Sequence, residues 1–242
     1  MRAPDAAFAD PRLAALYDLL DDDRSDLDAY EAIVRELGAE RVADVGCGTG
    51  SFAVRLAGRG LTVVGVDPAA ASLEVARGKP YADGVTWIHG DATDLADVPP
   101  LDLAVMTGNV AQVFVDDEDW AGTLDGLAAA VRPGGWLVLE TRRPEARAWE
   151  HWDQPASEVT LPDGRTATAS MSVTEVALPL VTFVGTISVD GEDLRSTSTL
   201  RFRSRAEVGR DLAAHGFDVV EVREAPDRLG LEHVFIARRH TS

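Results

Sequence analysis

Residues 42–50 read Val42-Ala43-Asp44-Val45-Gly46-Cys47-Gly48-Thr49-Gly50, and the rest of the chain is best read outward from them. A short apolar run ends in three glycines with the spacing G-x-G-x-G. Apolar residues that run straight into glycine suit a buried strand followed by a tight turn. Glycines let the backbone approach a ligand closely. A helix opening after the turn aims its free N–H groups and the positive end of its dipole at the same point. The spacing differs from the G-x-G-x-x-G of dinucleotide-binding turns. Taken alone, the segment also fits an ordinary strand-to-helix turn with no ligand.

On the C-terminal side, short apolar runs alternate with helical stretches as far as Thr141. Strands are expected at Val42–Val45, Thr62–Val66, Val85–Ile88, Leu101–Met106 and Trp136–Glu140. Helices are expected at about 50–57, 69–76 and 118–131. This alternation predicts an α/β fold with right-handed crossovers and a parallel sheet covered on both faces. Pro133-Gly134-Gly135 reads as the turn into the fifth strand. From 157 to 203 the pattern switches to a period of two, rich in Thr, Val and Ser. Asp163-Gly164 and Asp190-Gly191 signal hairpins, and Pro179 marks a third turn, so an antiparallel insertion of about four strands is expected. Ser204 with Glu207 forms a capping box opening a helix that ends near Gly216. Strands Phe217–Val222 and His233–Arg238 then complete the sheet. Residues 1–40 look helical, with 11 Asp/Glu against 4 Arg. Ser25 is expected to cap a helix there, with Asp28 as box partner, and Gly38 to close it. The expected organisation is a helical lid (1–40), an α/β core (41–156), an antiparallel insertion (157–203) and a C-terminal completion of the core sheet (204–242).

In open α/β sheets, ligands sit at the carboxyl ends of the strands, and polar residues recur there in this sequence. Asp67-Pro68 follows the second strand; its carboxylate either caps the next helix or accepts hydrogen bonds from ribose hydroxyls. Gly90-Asp91-Ala92 follows the third; Asp91 is a cap or a contact to an adenine amino group. Thr107-Gly108-Asn109 follows the fourth, as a ligand contact or as a loop stabilised by its own polar side chains.

These elements, after successive strands and in this order, resemble class I S-adenosylmethionine (SAM)-dependent methyltransferases. The resemblance implies a Rossmann-like seven-stranded methyltransferase sheet with an N-terminal helical lid and an antiparallel β insertion, with SAM as cofactor. It implies that Gly46, Cys47, Gly48, Thr49 and Gly50 hold the methionine portion, with Asp44 reaching its amino group. It further implies that Asp67 and Pro68 lie at the ribose, Asp91 and Ala92 at the adenine, and Thr107 and Gly108 beneath the transferred methyl. Insertions of this kind are similar to the roofs of small-molecule N-methyltransferases, where a lid tyrosine often covers SAM. Tyr17 and Tyr30 are the candidates for that tyrosine, and either also fits an amphipathic core position.

The Asn/Asp-Pro-Pro-aromatic motif frequent in nucleic-acid amino-methylating enzymes is absent after strand four. A formal charge of −18 and the lack of any Lys/Arg cluster disfavour a nucleic-acid track and, for the same reason, anionic membranes. A small-molecule acceptor, most simply an amine, is therefore expected, with no metal. Arg142–Trp152 follows strand five, and its Trp149 and Trp152 read either as a pocket wall with Asn109 and Tyr17 or as a hinge under the insertion. Asn109 and His151 are the candidate catalytic side chains, although transfer without a general base is equally consistent. Cys47 is read as a packing residue, and a single cysteine without a visible signal segment suggests a cytoplasmic protein. Competing readings are a SAM-binding regulatory protein without transfer, a small-molecule O-methyltransferase and, disfavoured by the turn spacing, an NAD oxidoreductase.

Overall fold

In the computed structural model, which describes residues 3–20, 23–161 and 163–241, seven strands form one sheet in the order β10-β11-β5-β4-β1-β2-β3. β1 (Arg41–Val45) lies at its centre, hydrogen-bonded in parallel to β2 (Thr62–Asp67) and β4 (Leu101–Met106). β3 (Val85–His89) adds to β2, and β5 (Val131–Arg142) to β4, also in parallel. β10 (Phe217–Arg223) and β11 (Glu232–Arg239) close the far edge antiparallel. Four of the five β1 residues are buried, because a parallel strand is covered on both faces. On one face, Leu27, Tyr30 and Ile33 of α3 (Leu27–Glu36) pack with Phe52 and Leu56 of α4 (Ser51–Gly58). On the other, Leu124 and Leu127 of α6 (Asp117–Ala130) pack with Val208 and Leu212 of α7 (Arg205–Ala214). α5 (Ala70–Arg77) follows β2 and buries Leu73 and Ala76.

The period-two segment forms a separate antiparallel sheet in the order β6-β7-β8-β9, built from Gln154–Thr160, Thr166–Ala177, Leu180–Val189 and Glu192–Arg201. Asp190 and Gly191 both take positive φ, 52° and 79°, as a tight hairpin turn requires. The sheet stands over the carboxyl end of the core: Arg201 donates to the Val115 carbonyl at 2.9 Å, beyond β4. Against it pack two helices from the start of the chain, α1 (Ala6–Ala9) and α2 (Pro11–Leu20). Leu13, Leu16 and Leu19 meet Ile187 and Leu194 in an apolar cluster, and Ala7 N–H donates to Ser196 Oγ at 2.8 Å.

Three local expectations are corrected. Pro133-Gly134-Gly135 is not a turn before β5 but an irregularity within it: Leu101 pairs with Val131 whereas Leu103 pairs with Trp136, and Gly134 at φ 73° takes up the surplus residues. Ser25 makes no side-chain cap; α3 begins after Asp26, and Asp28 instead ion-pairs with Arg55. The insertion begins at Gln154, three residues earlier than read. The Ser204–Glu207 capping box forms in both directions, at 3.2 and 2.7 Å.

Candidate active site

A cavity of about 390 Å³ opens at the carboxyl ends of β1 to β4, and the glycine turn forms its floor. Gly46 and Gly50 have φ of 70° and 77°. A Cβ on Gly46 would lie 2.6 Å from Val110, and one on Gly50 would lie 2.5 Å from the Trp87 ring. Only glycine fits either place, for reasons of both conformation and space. Gly46, Cys47, Gly48 and Thr49 line the cavity; Gly50 lies behind them, packed on Trp87 and Ala76.

The carboxylates expected at the strand ends are present but differ in state. Asp67 accepts Gly48 N–H and Ala69 N–H, each at 2.8 Å, so it braces the glycine turn and caps the start of α5 while lining the cavity. The two readings of Asp67 are thus compatible. Asp44 is buried, and its Oδ2 has no hydrogen-bond partner among the described residues. Burial, and then the charge of Asp67, push its carboxyl up to about 7. A buried acceptor left open toward a cavity calls for a cationic or donating partner. Arg24 lies on the same cavity, and its charge works in the opposite direction on Asp44. Asp91 caps the 3₁₀ turn Ala92–Asp97, accepting Thr93 N–H at 2.8 Å, and lines the cavity together with Ala92 and Pro68. Burial and the neighbouring Asp44 and Asp67 raise the Cys47 thiol well above its usual range, so it remains protonated and is no nucleophile.

Thr107 and Gly108 line the cavity, but Asn109 stands behind them, in a left-handed conformation at φ 60°. Its N–H donates to Glu140 Oε1 and its Nδ2 to Glu232 Oε1, both at 3.0 Å. Tyr30 O–H donates to the other Glu140 oxygen. Arg228 balances the two acids at 3.6 and 3.2 Å. Burial, and then Glu232, raise Glu140 to about 7. Asn109 therefore shapes the wall through its backbone, and Tyr30 belongs to the core rather than the lid. Tyr17 does line the cavity, with its ring 5.2 Å from that of Phe8.

Trp149 and Trp152 are not brought to the cavity. Trp149 is buried against Phe202, ring centroids 4.7 Å apart, with Val181 and Leu200. Trp152 packs on Phe183 and under the Arg142 guanidinium, 5.1 Å from its centroid. Both fill the seam between β5 and the insertion, the hinge alternative of the sequence reading. His151 is exposed at the end of a 3₁₀ turn and does not line the cavity. Phe8, Arg24, Val110 and Phe114 line it without having been singled out from sequence. Phe8 precedes any periodic stretch, and Arg24 stands alone in an acidic run, so neither carried a pattern.

A family model described as "Methyltransferase domain" matches residues 42–135, the span from β1 to the start of β5. The chain is 31% identical over 137 residues to the cypemycin N-terminal methyltransferase of a Streptomyces species, covering 57% of this chain and 55% of that protein. It is 34% identical over 115 residues to a ubiquinone biosynthesis O-methyltransferase of Thiobacillus denitrificans, covering 47% and 49%. The matched region thus spans about half the length of these curated relatives. In fold, it resembles the SAM-bound amino pentose methyltransferase CalS10 of Micromonospora echinaspora, with a TM-score of 0.71 at 22% identity over 93% of this chain and 95% of that one. Residues 42–135 thus match a methyltransferase domain, and the sheet order, glycine turn and strand-end carboxylates give the chain the fold of SAM-dependent methyltransferases.

Proposed function

We propose that this protein transfers the methyl group of SAM to a small molecule whose acceptor atom is an amine nitrogen. The observation that carries the proposal is the unpartnered, buried Asp44 oxygen on a cavity that also holds Asp67, Asp91 and Arg24. Asp44 suits the cofactor's ammonium group and Arg24 its carboxylate. The free lone pairs of Asp67 suit vicinal hydroxyls, and the Asp91–Ala92 turn suits adenine. When bound, SAM supplies the activated methyl carbon.

The chain's own part is orientation and exclusion of water. Tyr17 and Phe8 cover the cavity from the lid, and Thr107 and Gly108 form the wall that Glu140 and Glu232 hold through Asn109. Holding acceptor and methyl in line at about 3 Å removes a large share of the barrier without a base. Exclusion of water beneath Tyr17 and Phe8 favours the neutral amine, the form whose lone pair can attack, over its ammonium. The Cys47 thiol, held protonated, does not compete for the methyl.

Purified protein incubated with isotope-labelled SAM and a fractionated metabolite extract tests the reading. Label should appear on nitrogen in one low-molecular-weight fraction, with equimolar S-adenosylhomocysteine. Label on oxygen would favour the O-methyltransferase reading, which the ubiquinone-pathway relative keeps open. Tight cofactor binding with no transfer to any fraction would favour a binding protein.

A further inference from the structure

Helix α2 meets the core through an ion pair that the methyl-transfer reading leaves unused. Asp18 follows Tyr17, the residue that lines the cavity from the lid. Its Oδ1 accepts the Thr49 hydroxyl at 2.6 Å, and its Oδ2 lies 2.6 Å from Lys79 Nζ. Lys79 in turn donates to Ser51 Oγ at 2.8 Å. Thr49 and Ser51 both line the cavity, one in the glycine turn and the other at the start of α4. Lys79 is the sole lysine in a chain with 41 Asp and Glu, so its ammonium is a distinctive feature of this rim. The two side chains are only 19% and 35% exposed, which shields the pair from solvent more than an ordinary surface contact.

The segment also reaches the insertion through a solvent-exposed ion pair, Arg12 to Glu192 at 2.7 Å, and through neutral contacts. Phe8 carbonyl accepts from Ser72 Oγ at 3.0 Å, Ala7 N–H reaches Ser196, and the leucines of α2 pack against the insertion. Those contacts hold the helix to the roof and to α5. The Asp18 carboxylate ties it to the glycine turn itself, with Thr49 and Lys79 on its two oxygens.

We propose that Lys79 and Asp18 are positioning residues for cofactor retention, an inference that rests on the SAM-binding reading of the cavity. The pair fixes α2 on the glycine turn, so Tyr17 and Thr49 keep their places on the cavity wall and bound cofactor leaves only when the pair parts.

The test uses the full chain and S-adenosylhomocysteine as probe, with calorimetry for affinity, stopped-flow displacement for release, and hydrogen exchange read over residues 11–20. Lys79→Met should raise the release rate about fivefold, the scale of a partly shielded charged hydrogen bond, and leave the association rate within about twofold. Exchange over residues 11–20 should quicken in the free protein while that of β1 and β4 is unchanged. Lys79→Arg should restore both readouts, and Asp18→Asn should add little on top of Lys79→Met, because the two act as one contact. Unchanged release and exchange in Lys79→Met would overturn the proposal, as would an arginine variant that fails to rescue. A uniform rise in exchange across the sheet would mean a general stability role and would overturn it as well. Failure of the wild-type chain to bind S-adenosylhomocysteine would instead remove the SAM-binding reading, and this inference with it.

Discussion

Cofactor binding should expel a proton from Asp44. In the free protein its carboxyl is held at about 7 against an ordinary 3.8, a difference of about 3 pH units. At 1.36 kcal/mol per unit, this corresponds to about 4 kcal/mol that the folded state loses as pH rises from 4 to 7. The sign follows from the raised value: the folded state binds more protons than the unfolded chain in that window, so stability falls as the group ionises. A cationic ammonium seated against Asp44 reverses this by favouring the carboxylate. At pH 6, Asp44 is about ten parts protonated to one ionised, so binding should release about 0.9 proton and affinity should sit about tenfold below its plateau. At pH 8, both effects should vanish. Calorimetry with S-adenosylhomocysteine in buffers of different ionisation enthalpy counts the protons directly. Asp44→Asn should abolish the pH dependence, bind more weakly at pH 8, and melt higher than wild type there without ligand. Proton release that is independent of pH, or that persists in Asp44→Asn, would refute the assignment of Asp44 to the ammonium.

Asp67→Ala should weaken S-adenosylhomocysteine binding by about 1.5–3 kcal/mol, since it removes both a ligand acceptor and the brace on Gly48 N–H; a folded variant with unchanged calorimetric affinity would exclude this role. Trp149→Ala should cost about 3–5 kcal/mol of stability in urea unfolding, because the side chain fills the seam with Phe202, yet leave S-adenosylhomocysteine affinity within about twofold. Ser204→Ala should cost about 0.5–2 kcal/mol through loss of the α7 cap, with no effect on binding, checked by the same melts and titrations.

The core was legible because two periodicities and a handful of glycines carry it. β1, β4 and the hairpin at Asp190-Gly191 lie where alternation and turn chemistry put them. The strand-end carboxylates could be found because they follow strands whose ends were already marked. What escaped were properties of distance. Nothing near residue 109 announces Glu140 and Glu232, which lie 31 and 123 positions away and turn Asn109 from a wall residue into a strut. Trp149 and Trp152 carry the same local signal whether they face a pocket or a seam; only Phe183 and Phe202, supplied by the insertion and the residue following it, decide between the two. Pro133-Gly134-Gly135 misled for a related reason, since β4 pairs with Val131 before the segment and with Trp136 after it, so one strand continues across residues whose composition says turn.

The bond between Ala7 and Ser196 joins positions 189 residues apart, and this separation has a consequence for biogenesis. At about 5–20 residues per second, the ribosome needs on the order of 10–40 s to make the strand that receives the first helices. Throughout that interval Leu13, Leu16 and Leu19 have been synthesised but lack Ile187 and Leu194 to pack against. The central sheet can assemble from neighbours in sequence while its cover waits, so the nascent chain passes through a state with a formed nucleotide floor and a sticky, unattached leading segment. Chaperones that shield apolar stretches on emerging chains would be expected to dwell on that segment until Ile187 and Leu194 have emerged.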